Sequence, residues 1–425
     1  AIISVDSGEV LAEGKHVSPL RYTVQQSLFY DLPGSQLRHE ASSAHFELLQ
    51  RMDKVSIRLG NICYVNYGAQ VSSKRPGAYV KADVVSEVPF GNSKRFFEGR
   101  DLDRYFVGWG GLHLDYRPDT MYGPRSEELF KSPKLVFRKI SGPSDTLLVG
   151  FDDQGHYCDD GLVLAVHYAS VKGGKLREEF EGFDLTRDPY ALEYCLALSA
   201  SKLMSFYYGF RFATGSLQGS YSHVYPQHVR NLPIYRVAFN ESHRGDWSFK
   251  TEAQLSGTWK EVLARVSEEV SHNRSELVHD LLAYLARQML SMHKEVRSHT
   301  ANFWTDLEGV TTPTTFRQLR DKGKQAAGLA ADPALAPFVS AASKSTRSLD
   351  EALAWDEAAF KGFVRALAGP VDRLSALLKV YERYAPGYRD LTERIARTDR
   401  LIDQIVYQLY GLTDDEIAIV EGRTA

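Results

Sequence analysis

Lys134-Leu135-Val136-Phe137-Arg138-Lys139-Ile140 is a short apolar run, fenced by Pro133 on one side and Ser141-Gly142-Pro143 on the other. β-Branched and aromatic side chains in so short a bounded run predict a strand. Ile62-Cys63-Tyr64-Val65-Asn66-Tyr67-Gly68, Leu147-Leu148-Val149-Gly150-Phe151 and Gly161-Leu162-Val163-Leu164-Ala165-Val166 repeat the pattern between Gly, Pro, Asn and Asp. Helices are expected to interrupt them over about 41–52 and about 190–208, the second with an apolar face of Leu192, Leu196, Leu203 and Phe206. Beyond about Thr251 the period becomes helical. Leu255, Trp259, Val262, Val266 and Val270 recur at threes and fours, then Leu277, Leu281, Leu285, Met289, Met292 and Val296. Leu391, Ile395, Thr398, Ile402, Ile405 and Leu409 form a heptad seam. Residues 309–347 read as short helices or a mobile connection, and Pro337, Pro370 and Pro386 are expected to break the helices. The fold class is therefore α+β: a connecting segment over 1–44, a mixed strand-rich domain over 45–240 and a long-helix bundle or hairpin over 241–425.

The composition is that of a globular protein able to bury a core: 425 residues, 43% hydrophobic and 25% charged. That length implies two or three domains. No apolar run reaches the roughly 18 residues a membrane helix needs, and Ala1-Ile2-Ile3-Ser4 lacks the pattern of a signal peptide. Cys63, Cys158 and Cys195 are few and far apart, which fits a reducing cytoplasm and no disulfide framework. A start at Ala suggests a piece cut from a longer chain. The net charge of −3 argues at first against nucleic acid. It is uneven, however. Residues 51–150 hold 16 basic and 11 acidic side chains, a balance of +5, while residues 241–425 hold 24 and 27.

Catalytic motifs are missing. The sequence has neither a GxxxxGK[ST] phosphate loop nor HExxH. Gly108-Trp109-Gly110-Gly111 has no strand–turn–helix context and reads as a turn between strands. Pro118-Asp119 is followed by Glu128-Leu129-Phe130-Lys131, where acid and lysine are one residue too far apart for a restriction-type nuclease site. His156-Tyr157-Cys158-Asp159-Asp160 lacks a second ligand pair and reads as strand-end turn chemistry. Asp188-Pro189-Tyr190 reads as a helix start with Pro near its first position.

Four segments stand out in order. Leu59-Gly60-Asn61-Ile62 runs to Gly68, then to Ser72-Ser73-Lys74-Arg75. Lys94-Arg95-Phe96-Phe97-Glu98-Gly99-Arg100-Asp101-Leu102-Asp103-Arg104-Tyr105 continues through Tyr116-Arg117-Pro118 to Leu129-Phe130-Lys131-Ser132-Pro133-Lys134 and Arg138-Lys139. Ser199-Ala200-Ser201-Lys202-Leu203 with Phe206-Tyr207-Tyr208 precedes Asn231-Leu232-Pro233, and Leu401–Ile417 closes the chain. Together they resemble the C-terminal specificity domain of the TaqI-like adenine-N6 DNA methyltransferases and related combined restriction–modification enzymes. Ser199-Ala200-Ser201-Lys202 stands where Asn-Ser-Lys is commoner, and the helical part is longer than in the simplest members. The cofactor motif and the Asn/Asp-Pro-Pro-Tyr/Phe base-holding tetrapeptide are absent from the sequence.

That resemblance implies a recognition half, holding duplex DNA while another domain flips and methylates an adenine. Phosphate contacts are expected from Lys74, Arg75, Lys94, Arg95, Arg100 and Lys139, with Arg138, Lys202 and Arg211 as further candidates. Each competes with an ordinary solvated surface. The loop Thr214–His223 offers two glycines for close approach and Ser216, Gln218, Ser220, Tyr221 and His223 for base edges; a plain connector is the competing reading. No catalytic residue, metal ligand or cofactor is expected in this chain. S-adenosylmethionine and Mg²⁺ belong to the catalytic domains outside it. Expected partners are double-stranded DNA and a methyltransferase or endonuclease domain or subunit, with a second copy able to pair through the helices. The alternative is an interaction scaffold that oligomerises and does not bind DNA.

Overall fold

The computed structural model describes residues 2–7, 20–31, 42–71, 80–140, 147–170, 185–212, 223–239, 259–323, 353–368 and 373–422. The chain divides into two compact units, Ala1–Gln288 with Arg400–Ala425, and Met289–Asp399. A strand-rich region is followed by long helices, the α+β order that the residue patterns predict. The first unit runs past residue 240 to Gln288 and also takes in Arg400–Ala425.

In the first unit β1 (Ile2–Ser7) pairs with β2 (Leu20–Gln25) antiparallel. Helix α1 (Ser43–Val55) leads into β3 (Ser56–Arg58) and β4 (Cys63–Tyr67). Next come α2 (Lys81–Val84), β5 (Val85–Ser86), β6 (Lys94–Phe97), β7 (Tyr105–Phe106) and β8 (Leu112–Leu114). They are followed by α3 (Glu127–Lys131), β9 (Lys134–Arg138), β10 (Val149–Asp152), β11 (Tyr157–Cys158) and β12 (Leu162–His167). Helices α4 (Leu192–Ala200), α5 (Lys202–Arg211) and α6 (Pro226–Arg230) precede β13 (Pro233–Tyr235) and α7 (Trp259–Ser271).

The sheet order β4-β12-β9-β10-β7 puts the opening run of sequence on a central strand. Only the β10–β7 pair of that sheet is parallel. A second sheet runs β11-β6-β8-β5, and β13 pairs with β3. Strands β9 and β12 are buried along nearly their whole length because both faces are covered. Helix α4 packs on β7, β9 and β10, and is itself buried almost all round. Phe96, Phe97, Leu114, Phe130, Val136 and Leu164 form a core cluster with residues of the second sheet.

Local chemistry moves several expected boundaries. The helix expected over about 190–208 is two helices, broken at Ser201. Its hydroxyl donates to Leu198 O at 2.7 Å and accepts from Met204 N at 3.1 Å, so one side chain ends α4 and caps α5. Pro189 does not start a helix; α4 begins at Leu192, and the buried Tyr190 hydroxyl accepts from Val237 N at 2.9 Å instead. Helix α1 starts at Ser43 behind its N-cap Ser42 rather than at 41. Gly108-Trp109-Gly110-Gly111 is the loop into β8, with Gly111 at φ +92 and Asp101 packed against Gly110.

Gly68 is required by close backbone approach. A Cβ there would meet Asp159 O and lie 2.8 Å from both Asp159 C and Cys158 O. Gly68→Ala is therefore expected to cost about 2–3 kcal/mol, since main chain, not a side-chain tip, must move. Equilibrium urea unfolding checks this, and a loss under about 0.5 kcal/mol would refute it.

Helix α8 (Ser275–Val310) passes from the first unit into the second, where α9 (Pro313–Gly323), α10 (Glu357–Ala368) and most of α11 (Leu374–Leu409) lie. The second unit has its own core of Phe303, Leu307, Phe360, Val364, Leu377 and Tyr381, with Phe360 and Tyr381 stacked at 4.3 Å. Pro386 does not break α11 but lies inside it. The hydrogen bond lost there costs about 3 kcal/mol, offset by burial of Ala385, Tyr381 and Tyr388 around it. Gly387 leaves room for the His299 ring, whose Nε2 meets Tyr384 O at 2.7 Å. Pro337 and Pro370 lie outside the described residues.

The heptad seam also widens. Ile395 and Thr398 are only half-buried, whereas Leu401, Ile402, Ile405, Val406, Tyr407 and Tyr410 are all buried in the first unit. Asp403 accepts from Lys202 N at 2.9 Å, and Tyr410 Oη donates to Pro233 O at 2.8 Å. The end of α11 is thus a core element of the first unit. Helix α12 (Asp414–Val420) follows, capped by Thr413 and tied to α1 by Glu416 and Arg51 at 2.6 Å. No described helix is long and apolar enough to cross a membrane.

Candidate nucleic-acid interface

The charged residues of the signature segments divide into scaffold and surface. Lys134 is fully buried; its ammonium donates to Phe130 O and pairs with the buried Asp152 at 2.5 Å. Asp152 also holds His156 Nδ1 at 2.9 Å and His156 N at 3.0 Å. Burial works to raise the Asp152 carboxyl, but His156 and Lys134 outweigh it and hold the group at about 2. Arg104 donates from Nε and Nη2 to Ala200 O at 2.9 and 2.5 Å, clamping the end of α4. Tyr105 follows it with φ 70, fully buried. Arg138, a phosphate candidate in the sequence, donates to Gly99 O at 2.5 Å and Leu102 O at 3.0 Å. Its guanidinium braces the turn that carries Arg100.

A surface edge is built on that scaffold. Arg100 pairs with Glu98 at 2.7 Å, Glu98 with Lys81 at 2.6 Å, and Lys81 with Asp159 at 2.5 Å. Burial opposes the Lys81 charge, yet Asp159 and Glu98 prevail and hold its ammonium above the ordinary value. Beside it Lys139 meets Asp160 at 3.7 Å and lies 4.9 Å over the Tyr67 ring. Burial raises the Tyr67 phenol, with Tyr225 and Asp160 adding to the rise, so it stays a neutral donor at neutral pH. Val224 N donates to Lys139 O at 2.7 Å, Ile140 bridges His223, and the His223 and Tyr225 rings stack at 6.0 Å. Val80, Tyr122, Ile140 and Tyr225 are the exposed apolar side chains of this region.

The edge gathers the described residues next to three undescribed stretches, 72–79, 141–146 and 213–222. Val80 adjoins Lys81, Ile140 adjoins Lys139, and His223 bridges Ile140. Lys74, Arg75, Ser216, Gln218, Ser220 and Tyr221 lie outside the described residues.

Of the sequence candidates, Arg100, Arg138, Lys139 and His223 come together here. Lys94 and Arg95 stand elsewhere on the second sheet: Lys94 Nζ donates to Asn92 at 3.0 Å, and the Arg95 guanidinium lies 4.7 Å over Trp109, which also meets the His113 ring. Lys202 faces Glu421 at 3.3 Å and Asp403 at 3.9 Å, and Arg211 faces Asp53 at 3.2 Å. Lys81, Tyr67, Tyr122 and Tyr225 stand at this edge too, without a signal of their own in the sequence. Tyr67 sits inside the first signature segment but reads there as strand filler, and nothing in sequence links Lys81 to Asp159. Asp159 and Asp160 serve as partners of these lysines, and among the described residues no group of three His, Cys, Asp or Glu is arranged to hold a metal ion.

Residues 94–234 match the family model of the TaqI-like C-terminal specificity domain. No curated protein matches the chain. The matched residues span β6 to β13 and take in the buried Lys134–Asp152 pair, the Arg104 clamp, Lys139 and His223. The match points to a DNA-recognition role beside a methyltransferase. Tyr67 and Lys81 lie before the matched residues yet contact Lys139 and Asp159 within them.

Proposed function

We propose that the strand-rich part of this chain, about residues 45–240, is the sequence-specific duplex-DNA recognition module of an adenine-N6 methyltransferase, in a restriction–modification or phage-defence system. One observation carries the reading: within a region matching a specificity domain, Arg100, Lys139 and His223 converge on one edge. Lys74, Arg75, Arg100 and Lys139 position the duplex through its phosphates, with Lys94, Arg95, Lys202 and Arg211 as outer contacts. Ser216, Gln218, Ser220, Tyr221 and His223 read base edges, and Arg138 supports them from within the scaffold. The flipping of the target adenine, S-adenosylmethionine and any Mg²⁺ belong to a catalytic domain or subunit that this module serves. The long helices dock that domain or a second copy, in the cytoplasm.

The described edge is charge-balanced: Arg100, Lys81 and Lys139 face Glu98, Asp159 and Asp160. A duplex must displace carboxylates to use these cations, so the isolated chain should bind modestly and gain affinity with its catalytic partner. Selection of bound sites from a random duplex library, with and without a methyltransferase partner, tests the reading. A defined site supports it; enrichment of nothing in both arms overturns it. Gln218→Ala is expected to relax preference at one position by about 1–3 kcal/mol while changing total affinity less. Equal losses on all sequences would remove Gln218 from base reading.

A further inference from the structure

The first unit holds a cleft of about 730 Å³ lined by β3, β13, the end of α5 and the stretch around Thr186. Pairing of Pro233 with Arg58 and of Tyr235 with Ser56 sets Arg58 and Arg236 along one two-stranded ribbon at its wall. A backbone bond from Thr186 N to Asn61 O at 3.0 Å joins two other lining residues. Arg211 and Phe212 also line it, and the Phe212 ring stacks on His228 at 4.9 Å.

The charges in the cleft are not evenly matched. Asp53 is engaged by the Tyr207 hydroxyl at 2.6 Å and by Arg211 at 3.2 Å. Asp188 accepts from the Thr186 hydroxyl at 2.9 Å. Arg58 and Arg236 are exposed and have no carboxylate within ion-pair distance among the described residues; the Arg236 guanidinium reaches only Ser56 O, at 3.5 Å. This contrasts with the edge, where each of Arg100, Lys81 and Lys139 has an acid in contact. Two forked guanidinium groups without an acid partner among the described residues, in a concave site of ligand size beside an aromatic ring, suit a phosphate with an attached planar base.

We propose that this cleft is an anion site that holds the phosphate of a nucleotide between Arg58 and Arg236, with Arg211 held in its lining by Asp53. The phosphate can come from a free nucleotide or from the DNA backbone; the chemistry is shared, and the experiment separates the sources. The site does not depend on base reading at the edge.

The full chain is titrated with AMP and with orthophosphate by calorimetry, and with a 20-bp duplex by anisotropy at several salt concentrations. The variants are Arg58→Ala/Arg236→Ala and the charge-keeping Arg58→Lys/Arg236→Lys. Both positions are exposed, so the fold should survive, and thermal unfolding checks that it does. The alanine pair is expected to weaken AMP binding at least about tenfold, the loss of one charge-assisted contact or more, with partial recovery in the lysine pair. If duplex affinity falls as well and its salt slope drops by about 2, the phosphate is that of the DNA backbone. If only AMP binding falls, the ligand is a free nucleotide. Unchanged AMP, orthophosphate and duplex binding in the alanine pair overturns the cleft. Duplex binding by the wild type with a defined site would still stand in that case, so the two readings fail separately.

Discussion

Lys134→Met is expected to destabilise the first unit by about 3–5 kcal/mol, because it removes one partner of a buried ion pair and leaves the Asp152 charge behind. Lys134 and Asp152 are both almost completely buried, 2.5 Å apart, on neighbouring antiparallel strands. Hydrogen bonds from Gln154 N and His156 would remain to the carboxylate, but not the lysine cation that balances it. The loss should appear in thermal unfolding as a fall of about 10 °C. Adding Asp152→Asn should recover a good part of it, since an amide needs no counter-charge and can still meet His156. A Lys134→Met cost under about 1 kcal/mol would refute the assignment. The pH dependence has a defined sign. A carboxyl held at about 2 in the folded chain contributes stability above its unfolded value near 4 and loses it as pH falls toward 2. The gap between wild type and Lys134→Met should therefore be full above about pH 4 and close toward pH 2.

The second large effect is on binding. Arg100→Glu with Lys139→Glu should weaken duplex affinity by about 30- to 100-fold at moderate salt and reduce the salt slope by about 2, equally on all sequences. Both side chains are partly exposed and paired to acids at the surface, so stability should change by less than about 1 kcal/mol. Arg138→Gln is the contrast: it loses the brace to Gly99 and Leu102, and should cost stability before it costs slope. Anisotropy titrations over a salt series read both quantities. An unchanged slope in the double variant would remove Arg100 and Lys139 from the interface, and leave the acidic partners as their whole purpose.

How far the site was legible follows from what each signature residue does. Lys134 and Arg104 stand in the same signature segments as Arg138, which reads in sequence as a phosphate contact. In the fold they are a buried pair, a helix clamp and a turn brace, all set by partners 18 to 96 residues away. The signature therefore identifies the scaffold better than the contact surface. Lys81 was not readable, since its role depends on Glu98 and Asp159 meeting it across two strands. Ser201 was misread for a smaller reason: helix periodicity continues across it, and only its double use as terminator and cap breaks the helix.

The sequence alone determined the α+β order, the strand run at 134–140, the helical period after about residue 251 and the resemblance to a specificity domain. Side-chain alternation and spacing are local properties, and local patterns survive without coordinates. Only the tertiary structure decided that residues 400–425 belong with the strand-rich unit, that Pro386 stays inside a helix, and which cations reach the surface. Those outcomes depend on burial and on distant partners, where desolvation must be met by a specific opposite charge or hydrogen bond. No spacing in the chain records that match.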